Sequence, residues 1–192
     1  MRRTRLNRWK CAVAVIATLL AATLLAAGCG GDTGRARDYM IKGEAEIAKL
    51  QPVSESLTKS VEALFNGVFS GGRVDAASFQ KDAAVVKKQV EQLSAGAKSA
   101  AKQYALIDGL KDVPSYKKYA DLQQKVLSLN EEGFSKLSTF LDKWSPAIAS
   151  PNFDPVAFVG AARDFSAQAQ TTATEIEKLE KQAAALKKSQ KL

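Results

Sequence analysis

Apolar residues recur every three or four positions over most of the chain, and four long stretches carry the pattern with few interruptions. The first runs Met40, Gly43, Ile47, Leu50, Ser54, Leu57, Val61, Leu64, Val68. The second runs Phe79, Ala83, Val86, Val90, Leu93, Ala97, Ala100, Tyr104, Ile107. The third reads Tyr119, Leu122, Val126, Leu129, Gly133 and then shifts to Leu137, Phe140, Trp144. The fourth reads Phe158, Ala162, Phe165, Ala169, Thr172, Ile176, Leu179, Ala183, Leu186. This spacing places one apolar stripe along one face of each helix. Helices are expected at about 35–69, 75–108, 114–145 and 154–190.

Glycine, proline and capping signals separate them: Asn66 to Asp75, Asp108 to Ser115, and Ser145 to Pro155. Asp75 and Asp154 are suited to N-cap positions, and Pro155 to the first helical turn, where the missing N–H costs nothing. Pro52 lies inside the first stretch, but with Ile47 and Leu50 at a and d it falls at f, the outermost position, so a bend convex to solvent is expected rather than a break. Four long helices with short connections must lie antiparallel to their neighbours. The expected fold is therefore all-α, an up-down-up-down four-helix bundle spanning 35–192.

Before these helices comes a different kind of segment. Arg2, Arg3, Arg5, Arg8 and Lys10 precede an apolar run from Cys11 to about Leu25, followed by the small residues Ala26, Ala27 and Gly28, which are the three parts of an export signal. Leu24-Leu25-Ala26-Ala27-Gly28, leading directly into Cys29, resembles the lipobox of bacterial lipoproteins, with Ala26 at a position that is commonly leucine. The resemblance covers the leader only. It implies a signal peptide over 1–28, cleavage by signal peptidase II between Gly28 and Cys29, and a diacylglyceryl group on the Cys29 thiol, with residues 29–34 as a short tether. Membrane lipid, reached through acylated Cys29, is then the first expected partner. The basic residues ahead of the apolar run keep the leader's start cytoplasmic and send the rest across the membrane. The expected location is the extracytoplasmic face of the cell membrane. Gly30 is not the Asp that favours inner-membrane retention in hosts with two membranes, so the outer membrane stays open there.

Charge changes the picture little. Of 28 Lys and Arg, five lie in the leader, and the remaining 23 stand against all 20 Asp and Glu, leaving +3 on the expected mature chain. The basicity is mostly a targeting signal, and nucleic acid is not an expected partner. The two cysteines are Cys11 in the leader and Cys29, so no thiol remains for a disulfide, a zinc site or a nucleophile. Histidine is absent, which removes the usual serine triad and the Glu-x-x-His pairs of di-iron bundles. Glu131-Glu132 is the only adjacent acidic pair, and adjacent helical residues diverge by ~100°. No catalytic residue, metal site or cofactor is expected.

Two roles stand open. In the first, a non-catalytic interaction or structural module, the tip opposite Cys29 meets another envelope protein or the cell wall. All four tyrosines should fall near the membrane end and all eight phenylalanines in the distal half. Phe69 and Phe153, in expected loops, and Trp144 are the candidate tip contacts. In the second, a small-ligand binder or sensor, a cavity forms among the small seam residues Gly43, Ala83, Ala97, Ala100, Gly133, Ala162 and Ala169. The same residues also let helices approach closely without any ligand.

Overall fold

A computed structural model describes residues 31–69 and 75–192, the side chains of 66–69 excepted. The leader, Cys29 and the Gly71-Gly72 turn lie outside the described residues. Four helices follow one another: α1 (Asp32–Phe69), α2 (Ala76–Asp108), α3 (Pro114–Ile148) and α4 (Pro155–Gln190). They form the antiparallel four-helix bundle that the apolar stripes require.

Local chemistry sets the ends. Asp75 accepts a hydrogen bond from the backbone N–H of Ala77 at 3.1 Å. Asp154 accepts from Val156 and Ala157 at 2.9 and 3.0 Å. Each such cap stabilises its helix by about 1 kcal/mol. No side chain caps the start of α3, where Pro114 occupies the first turn and Asp112 takes a left-handed φ of 57° to turn the chain. α1 begins three residues earlier than its periodicity implies, because Asp32 favours the positive end of the helix dipole and accepts from the backbone N–H of Lys111 in the α2–α3 turn at 2.6 Å. α3 likewise runs three residues past Ser145. Pro146 sits on an exposed face while Trp144 and Ile148, one turn apart, are both buried. Pro52 is also exposed, and α1 continues through it.

Backbones approach closely between α1 and α2, α2 and α3, and α3 and α4, and α1 also reaches α3 across the diagonal. Contact between α1 and α4 is sparse. The core divides into two clusters along the axis. The distal one gathers Phe65, Phe79, Phe134, Phe140 and Phe158 with Trp144, and Phe153 and Phe165 pack against it. The proximal one holds Tyr104 and Tyr119, with Tyr39 and Tyr116 against it. Gly43 is what lets α1 approach Tyr104, since a Cβ there would stand 2.7 Å from the ring.

Candidate functional site

At the distal end, the aromatic residues are engaged with one another. Trp144 is only 8% exposed, and its ring meets Phe158 edge-on at 5.1 Å and Phe153 at 6.5 Å. Phe140 is the hub, within 6 Å of Phe65, Phe158 and Phe165. Phe153, the expected loop contact, is half-buried, its ring 5.9 Å from Phe158. Of the candidate tip residues, Trp144 is thus buried in the end of the core and Phe153 keeps part of its ring at the surface. Both rings cover the end of the core, because Phe158 leaves an apolar edge that the α3–α4 turn must close. Phe69 is the last residue of α1, and its side chain lies outside the described residues. Among the described residues, Val156 is the most exposed of the large apolar side chains, at 79%.

The proximal end holds a polar cluster. Tyr119 donates its hydroxyl to Glu44 Oε1 at 2.7 Å, and Lys187 Nζ donates to the same oxygen at 2.6 Å, joining α3, α1 and α4. Burial first, and then the neighbouring Tyr104 and Glu44, push the Tyr119 hydroxyl well above the usual phenol range. It therefore remains a protonated donor. Lys187 is thus committed to a carboxylate within the bundle. Glu131 and Glu132 also go separate ways: Glu131 accepts from Ser94 at 2.6 Å and lies 3.8 Å from Lys98, while Glu132 pairs with Lys136 at 2.6 Å.

Between the two core clusters lies a cavity of about 60 Å³. Ile47 and Leu50 of α1, Leu93 and Ala97 of α2, Val126, Leu127 and Phe134 of α3 and Ile176 of α4 form its apolar walls. Gln51, Ser54, Asn130 and Glu180 supply its polar groups. All four helices contribute. Ser54 is 1% exposed, and its Oγ has no hydrogen-bond partner. Leaving a buried polar group unsatisfied costs about 1–3 kcal/mol. Glu180 is half-buried, and among the described residues neither an ion pair nor a hydrogen bond engages its carboxyl. Burial, and secondarily the charge of Glu177, raises its pKa to about 7.

Of the small seam residues expected to shape a cavity, only Ala97 lines this one. Gly43 serves helix approach instead, and Gly133 has open space around it. The signals that could have located the site were Ser54, a hydroxyl at a core position of the first stripe, and Glu180, one turn beyond Ile176 on the buried side of α4. Reading Leu179 rather than Glu180 as the inward residue concealed the second.

Among the described residues, no group of His, Cys, Asp and Glu could hold a metal ion, and no helix is long and apolar enough to cross a membrane. Comparison with protein-family models, curated proteins and solved structures gave no match.

Proposed function

We propose that this chain is a lipid-anchored envelope protein that acts by binding rather than by catalysis, and that its ligand is a small molecule held in the mid-bundle cavity. The anchoring half of the reading rests on the lipobox-like run into Cys29. The binding half rests on the Ser54 hydroxyl, fully buried and unpartnered at the wall of the cavity. Such a group is more stable when something fills the space and completes its hydrogen bonding. A tip that recruits another envelope protein or the cell wall draws less support, since Trp144 and Phe153 are occupied with their own core.

The test is thermal stability in the presence of small amphiphiles. A ligand that occupies the cavity should raise the melting temperature with concentration, by about 2.7 kcal/mol of stabilisation at a hundredfold excess over its dissociation constant. Ala97→Leu, which fills the space, should abolish the response. A rise that persists in Ala97→Leu would place binding elsewhere.

A further inference from the structure

Charge that is scattered along the chain is sorted by the fold. Leu50, Leu93, Asn130 and Ile176, one from each helix, all line the mid-bundle cavity and mark a common level across the bundle. On the Cys29 side of that level, residues 32–50, 93–130 and 176–192 carry 15 Lys and Arg against 9 Asp and Glu. On the far side, the described residues 51–69, 75–92 and 131–175 carry 7 against 11. The two halves therefore stand at +6 and −4. A chain of small net charge is strongly polarised along its axis.

Hydrogen bonds draw the helix ends of the basic half together. Asp32, at the start of α1, accepts from the backbone N–H of Lys111 in the α2–α3 turn at 2.6 Å. Ser115, at the start of α3, donates its hydroxyl to Gln190 Oε1 at the end of α4 at 3.1 Å. Lys111, Lys118, Lys188 and Lys191 are exposed on the resulting face, and among the described residues none of them forms an ion pair. Of the acids at this end, Asp32 is paired with Arg35 at 3.4 Å and Glu44 is engaged by Tyr119 and Lys187, which leaves Asp38, Asp108 and Asp112 exposed. Tyr39 and Tyr116 lie half-buried against the proximal cluster. Such rings suit a headgroup layer, where one edge is apolar and the hydroxyl is wet.

If Cys29 carries the lipid as proposed above, this is the end that meets the bilayer. Only Gly30 and Gly31 separate Cys29 from Asp32, so the tether spans at most ~10 Å. That reach is comparable with the Debye length of ~8 Å at physiological ionic strength, within which basic residues are drawn to an anionic leaflet. We propose that this basic end face docks on anionic phospholipid headgroups, so that the anchored bundle stands on it with the acidic half directed away from the bilayer. The same surface that attracts one half repels the other, and charge sets orientation as well as adhesion.

The experiment is hydroxyl-radical footprinting of the full chain, purified with its lipid from producing cells. It is reconstituted into vesicles of phosphatidylcholine alone, or of phosphatidylcholine and phosphatidylglycerol in equal parts. The radical is small and uncharged, so oxidation reports exposure without bias from the surface potential. Tyr39, Tyr116 and Leu192 should be oxidised about threefold less on the anionic vesicles than on the neutral ones, and about 0.5 M salt should erase the difference. Val156, on the acidic half, should be oxidised equally on both. Lys111→Gln, Lys118→Gln and Lys188→Gln together should also erase the difference while leaving the helical circular dichroism unchanged, since all three side chains are exposed. Equal oxidation on the two vesicles, or a difference that survives salt, overturns the docking. Protection that appears only in intact envelopes assigns the face to another anionic polymer and overturns it as well. Flotation with the vesicles in high salt scores the anchor separately. A chain that floats with both vesicles is anchored. One that floats only with the anionic vesicles, and is released by salt, refutes the anchor and keeps the basic face; one that floats with neither refutes both.

Discussion

Single side chains decide how this bundle responds to its surroundings, and Glu180 is the clearest case. Its carboxyl titrates near pH 7 in the fold, raised by burial, against an ordinary value of 4.5. Between these values the folded state holds a proton that the unfolded chain has released, so stability falls as pH rises through this window. The contribution is fully present below about pH 4.5 and is lost above about pH 7. Denaturant midpoints measured from pH 4.5 to 8 should decline for the native chain, and Glu180→Gln should flatten that decline. Glycines give a second contrast. Alanine at Gly43 would press on the buried Tyr104 ring at 2.7 Å, so Gly43→Ala should destabilise by about 1–3 kcal/mol through overpacking. At Gly96 the obstruction is the end of the Leu50 side chain, which can turn aside, and the helix-propensity gain of about 1 kcal/mol offsets the shift. Urea denaturation of the two variants should separate them clearly.

Among the helices, α2 was the most legible from sequence. All nine residues of its expected stripe are buried, because it packs between α1 and α3 and shows each a regular face. The helix α3 was less so. It meets α2 and α4 and reaches α1 across the diagonal, and it therefore buries a broader arc than one seam, taking in Gln123, Leu127, Phe134 and Leu141 while Leu122 and Leu129 stay half-exposed. A stripe read at alternating steps of three and four cannot reveal a helix with three partners. For the same reason Trp144 was legible as a seam position and not as the centre of an aromatic cap: ring-to-ring contacts depend on how helices from distant parts of the chain come together. Trp144→Ala should cost about 3–5 kcal/mol, as other buried aromatic truncations do, and the half-buried Phe153→Ala less. Stability is also unequal between helices. α4 packs closely on α3 alone, and its fully buried residues are Phe158, Ala162, Ala173, Ile176 and Ala183, three of them alanines. Native-state hydrogen exchange should find the middle of α4 opening at a lower free energy than the middle of α2. If the cavity binds a ligand as proposed, that difference would give it a way in without unfolding the bundle.

At the scale of the whole molecule, the fold holds together by packing and caps. If Cys29 carries the lipid as proposed, Cys29→Ala should abolish incorporation of a fatty-acid label while leaving the helical circular dichroism unchanged, and label retained on the variant would refute the anchor. The continuity of α1 through Pro52 then acquires a meaning in height. From Asp32 to Gln51, at ~1.5 Å per residue, the helix climbs ~28 Å, close to the thickness of a bilayer's hydrocarbon core. In an upright bundle anchored at Cys29, the mouth of the cavity would stand that far above the headgroups, out of reach of an acyl chain still seated in the leaflet. Whatever enters there must already have left the membrane, so the site would sample molecules crossing the space outside the membrane rather than lipids embedded within it.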